Sequence, residues 1–102
     1  MPTATLTADD LILKHAANIA YVAEMETPAT DLTEFTRHLD YAADNFDQAS
    51  INGHEDLKTA ATLLDQATEV EGAAREALLR RAAVLLRIVS EMTDEYRDMV
   101  GD

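Results

Sequence analysis

Three histidines and a surplus of carboxylates are the groups in this chain that could do chemistry. His38 has Glu34 one turn before it and Asp31 another turn earlier, so an imidazole and carboxylates share one helix face. Groups so placed can share a divalent ion or tune a proton. Two ligands do not complete a site, however, and the pattern reads first as a surface pair. His15 lies on the flank of an apolar helical stripe, where a histidine packs against one polar partner. His54 stands beside Glu55 and Asp56 at a helix start, where it serves turn and cap geometry.

No second Glu–His pair answers the one around His38, so the di-metal pattern of ferritin-like bundles is incomplete. A mid-helix histidine also invites comparison with histidine phosphotransfer domains, which carry a lysine and a glycine just after it. Here His38 is followed by Leu39-Asp40-Tyr41-Ala42, with neither residue and an added carboxylate. A metal or phosphoryl carrier centred on His38 is therefore the third-ranked reading. With no cysteine, the chain offers no thiolate site and no thiol nucleophile. It has no Gly-x-Ser-x-Gly and no phosphate-cradling glycine loop either. The chain reads as non-catalytic, with no cofactor and no metal.

The elements around these residues are helical. Leu78, Ala82, Leu85, Val89, Met92, Tyr96 and Met99 recur at alternating steps of four and three, one stripe of a single helix. Three more segments share that spacing. Helix 1 is expected from about Ala8 to Met25, with Thr7 and Asp10 forming a capping box and Thr27-Pro28 ending it. Helix 2 should start near Asp31, capped by Thr30, with Leu32, Phe35, Leu39, Ala42 and Phe46 inward. Ser50-Ile51-Asn52-Gly53 breaks it, Asn52 or Gly53 being suited to a left-handed turn.

Helix 3 should run from about His54 to Val70 with Leu57, Ala60, Ala61, Leu64 and Ala67 inward. Glu71-Gly72-Ala73 is a weak breaker before helix 4, and one kinked helix there stays open. Short connections favour antiparallel neighbours, so the expected fold is a single all-α domain over residues 1–102, an up-down four-helix bundle of two hairpins. A faint repeat agrees: Leu13-Lys14-His15-Ala16-Ala17 recurs 44 residues later as Leu57-Lys58-Thr59-Ala60-Ala61.

Charge is the second signal. The formal net charge of −12 argues against a nucleic-acid backbone as partner, since phosphates need clustered Lys and Arg. Lysine appears only twice while aspartate and alanine are abundant, the look of a salt-adapted surface. A surface imitating the phosphates of DNA, and so inhibiting a nucleic-acid-binding enzyme, is the second-ranked reading. The N-terminal residues lack a basic stretch and a long apolar run, so a soluble, cytoplasmic protein with no membrane contact is expected.

The charges are unevenly spread. Residues 72–90 hold Arg75, Arg80, Arg81 and Arg87 against Glu76 alone, whereas residues 91–102 carry a net of −4. Arg81 projects near the inward stripe, where an arginine needs a partner. Helix 4 also carries a second apolar row, Leu79, Ala83 and Leu86, beside Val84 and between Arg80 and Arg87. An apolar row flanked by arginines is the pattern of a partner interface. The leading reading is thus an adaptor, small subunit or regulator acting through protein contacts and self-associating through helix 4.

Overall fold

The computed structural model describes residues 6–100, with side chains to residue 98. Met1–Thr5, part of the N-terminal segment considered above, and the side chain of Met99 lie outside that description. The described chain forms four helices: α1 (Ala8–Ala23), α2 (Leu32–Gln48), α3 (His54–Ala67) and α4 (Gly72–Val100). They pack as a bundle in which each helix touches the next and α4 returns to α1.

The helix ends follow local chemistry. Thr7 and Asp10 form the expected capping box, each side chain accepting from the other residue's backbone N–H. α1 stops at Ala23, short of Thr27, because Glu24 takes a left-handed conformation at φ 60°. The N–H of Met25 then donates to Ala20 and that of Glu24 to Tyr21, closing the helix end before the proline acts. α2 is capped by Asp31 rather than Thr30. The Asp31 carboxylate accepts from the Glu34 N–H at 2.8 Å, and the Glu34 carboxylate accepts from the Thr30 N–H at 2.9 Å. Residues 68–71 separate α3 from α4, which opens on Gly72 at φ 65°, so the two are distinct helices. At Gly53, φ is 120° and an added Cβ would lie 2.6 Å from Met92 Sδ. A side chain there would strain the backbone at that φ and push Met92 aside.

The core joins all four helices. Phe35, Leu39, Ala42 and Phe46 of α2 face Leu57, Ala60, Leu64 and Ala67 of α3, with Ile12, Ile19 and Val22 from α1. On α4 the buried positions are Leu79, Ala82, Leu86, Val89, Thr93 and Tyr96, while Leu78, Leu85 and Met92 are only partly covered. The inward stripe is therefore rotated from the expected one: it keeps Ala82, Val89 and Tyr96 and takes in Leu79 and Leu86 from the row assigned to a partner, so it lies between the two. Both rows meet the core because α1 and α3 each pack on α4, so the covered side is wider than a single neighbour would make it.

The direction of α1 departs from an alternating bundle. The Leu6 N–H donates to Glu76, His15 faces Ser90, and Tyr21 packs edge-on against Tyr96. Positions thus advance together along both helices, so α1 runs parallel to α4, whereas up-down alternation would oppose them. The Asn45 side-chain amide also donates to the Val22 carbonyl, bringing the ends of α1 and α2 to one place. Only α2–α3 and α3–α4 are tight hairpins. Nine residue steps from Ala23 to Leu32 reach about 30 Å when extended, against about 25 Å for the length of α2, so the connection can run back along the bundle. Ala29, buried within it, anchors that return. The faint repeat has no structural counterpart: α3–α4 is a hairpin and α1–α2 is not, and Leu13 is 85% exposed where Leu57 is buried.

Candidate functional site

Parallel packing of α1 on α4 leaves a groove between them. Its walls are Leu6, Asp10, Leu11, Lys14 and His15 from α1 and the residues leading into it, and Arg80, Ala83, Val84 and Arg87 from α4, around about 320 Å³ of free space. A second hollow continues past Leu6 to Arg75, Glu76 and the edge of Leu79. Three of the chain's eight Lys and Arg side chains, Lys14, Arg80 and Arg87, thus border one apolar groove. On a chain this acidic, that clustering makes the groove mouth locally cationic.

The six residues expected to meet a partner fall into two groups. Arg80, Ala83, Val84 and Arg87 line the groove together. Leu79 and Leu86 do not belong to an open surface: they are 2% and 1% exposed and sit in the core. The expectation counted one buried stripe on α4 where the bundle buries a wider one. Arg81, expected to project near the inward stripe, is exposed because the buried stripe is rotated away from its side of the helix.

Sequence spacing alone did not single out Ile88. It is 37% exposed and lies one turn beyond Val84, which is 48% exposed. The two share the outward face of α4 with Ala77, Arg81, Glu91 and Glu95, all exposed. The signal was present as a further four-three repeat, 77, 81, 84, 88, 91 and 95, hidden because four of its six members are not large apolar residues.

The histidines take different roles. His15 is buried, its Nδ1 3.4 Å from Ser90 Oγ, and that hydroxyl donates to the Leu86 carbonyl at 3.0 Å. Burial, reinforced by the Lys14 charge, lowers its pKa below the ordinary value. His54 Nε2 lies 4.0 Å from Asp47, bridging the ends of α2 and α3. His38 is not a surface residue: it is buried, and its Nδ1 has no hydrogen-bond partner among the described residues. The carboxylates of Asp31 and Glu34 are turned to the start of α2 instead. Among the described residues no group of three or more histidine and carboxylate side chains gathers to hold a metal ion. No helix among them is long and apolar enough to cross a membrane.

Comparison with known proteins finds no matching family model, curated protein or solved structure.

Proposed function

We propose that this chain is a non-catalytic helical module that works through protein contacts, with the outward face of α4 and the adjoining α1–α4 groove as its contact surface. One observation carries the reading. Among the described residues four large apolar side chains are exposed, and Leu13 and Tyr41 each stand alone on their helices. Val84 and Ile88 are one turn apart on the same face, with Arg80, Arg81 and Arg87 around them. Apolar pairs with arginine neighbours suit interfaces, where arginine contributes both stem area and a charge-assisted hydrogen bond. The cationic rim favours a partner that presents carboxylates beside apolar groups.

The DNA-mimic reading draws less support from where the carboxylates lie. Asp10, Asp31 and Glu34 serve helix starts, and Asp40 and Asp44 share Lys58 at 3.9 and 3.5 Å. These five carboxylates have local duties, and Lys58 interrupts the acidic face of α2.

A photoreactive phenylalanine analogue placed at position 84 in the native cell tests the contact surface, with Thr62, exposed on α3, as the control position. Ultraviolet light should link position 84 to protein and leave position 62 unlinked. Absence of links at 84, or equal links at both, would sink the reading.

A further inference from the structure

The outward face of α4 is charged in opposite senses at its two ends. Its exposed stripe reads Ala77, Arg81, Val84, Ile88, Glu91 and Glu95 in chain order. Among the described residues neither Arg81 nor Glu91 nor Glu95 makes an ion pair with its own chain, since the ion pairs of α4 are Arg80–Glu76 and Arg97–Asp94. The stripe is thus basic, then apolar, then acidic, and its charges are open to an outside partner.

Such a stripe is complementary to itself when reversed. Two copies of α4 laid antiparallel, with the two-fold axis level with residue 86, oppose residues equally far on either side of it. Val84 then meets Ile88 of the second copy, Arg81 meets its Glu91, and Ala77 its Glu95. Two-fold symmetry repeats each contact, as an isologous interface requires. A parallel pairing in register would instead set Arg81 against Arg81 and Glu91 against Glu91. Antiparallel alignment also opposes the helix dipoles favourably. Nothing on α4 obstructs the approach, because the inward side chains Leu79, Ala82, Leu86 and Val89 are already held in the core.

We infer that the partner of the α4 face is a second copy of this chain, bound antiparallel through Val84 and Ile88 with Arg81–Glu91 pairs on either side. This inference rests on the contact-surface reading and names its occupant. The axis leaves the α1–α4 groove at the border of the interface, with Val84 belonging to both.

Charge exchange on the purified full chain tests the geometry, read by sedimentation equilibrium across a concentration series. Wild type should reach a dimer. Arg81→Glu places two acids opposite each other twice, and Glu91→Arg does the same with two bases. Each should raise the dissociation constant about tenfold or more, while helical circular dichroism stays unchanged because both positions are exposed. In an equimolar mixture of the two single variants, the acid introduced at position 81 faces the base introduced at position 91. On the other side of the axis the natural Arg81 and Glu91 still face each other. The mixture should therefore restore wild-type association as a heterodimer, and the double variant should restore it as a homodimer. A monomeric wild type, single variants that dimerise like wild type, or a mixture that stays monomeric would each overturn the inference. If wild type is monomeric while position 84 still links to a different protein in cells, only the second-copy inference fails. If it is monomeric and no link forms, the contact surface fails with it.

Discussion

The amide of Asn45, near the end of α2, donates to the carbonyl of Val22, near the end of α1, at 2.6 Å. That carbonyl is one of the last four of α1, which have no partner inside their own helix. One side chain therefore finishes one helix and fixes how it sits on another. The ring of Tyr21 meets Tyr96, and Tyr96 meets Phe46, so three helix segments converge beside the same bond. Arg97 covers the open side of Tyr21 at 4.9 Å.

Removing that amide should cost more than an ordinary surface change. Asn45→Ala leaves the Val22 carbonyl without its donor in a part-buried setting, and a loss of about 1–2 kcal/mol is expected. Urea unfolding followed by circular dichroism would measure it. A midpoint unchanged from wild type would mean that water replaces the amide without penalty.

Nearby residues on α4 should respond in opposite ways to one substitution. Leu86→Glu places a charge in the core beside Val89 and should unfold the chain, whereas Val84→Glu lies on the exposed face and should keep full helical content. Leu86→Ala should cost about 2–5 kcal/mol through the cavity it leaves. A folded Leu86→Glu protein would place the core boundary of α4 elsewhere.

Acid should weaken the fold partly through His15. Its folded pKa lies below the ordinary value because burial, aided by Lys14, disfavours the imidazolium. The unfolded chain then binds a proton at a higher pH than the folded one. The stability His15 contributes is therefore complete above about pH 6.5 and is lost as pH falls toward its lowered folded value. Thermal midpoints of wild type and His15→Gln between neutral and mildly acidic pH check this. The wild type should lose more stability on acidification, and parallel curves would remove His15 from the explanation.

Salt should stabilise the chain. A net charge of −12 on a small surface repels itself, and added ions screen that repulsion. The exposed ion pairs at Lys58 and Arg80, each at 3.5 Å or more, are too weak to reverse the trend when screened. Melts in low and high sodium chloride should differ in midpoint, rising with salt. Identical midpoints would show that repulsion among the carboxylates does not limit the stability of the fold.

Helix positions were legible in the sequence because caps and apolar spacing act locally. Thr7 with Asp10, the break around Gly53 and the break at Gly72 each do their work within a few residues. The direction of α1 was not legible, because it depends on Asn45 reaching Val22 and on Leu6 reaching Glu76, contacts remote in sequence. Short connections argued for alternation, yet residues 24–31 are long enough to return along the bundle. The site was half legible for a related reason. Arg80, Ala83, Val84 and Arg87 were recognisable as a cationic apolar strip, but how wide a stripe α4 buries depends on which helices pack against it. That packing moved Leu79 and Leu86 into the core and left Ile88 outside.

Parallel packing of the first helix on the last also orders events during synthesis. α2, α3 and α4 join through hairpins whose contacts are near in sequence, and such contacts form quickly. α1 leaves the ribosome before the other three helices, yet its partners Glu76, Ser90 and Tyr96 lie 70 or more residues further along the chain. At about 5–20 residues per second, α1 waits several seconds before α4 can close over Leu11. The acidic residues at its start, Asp9 and Asp10, keep that waiting segment charged until α4 arrives to cover it.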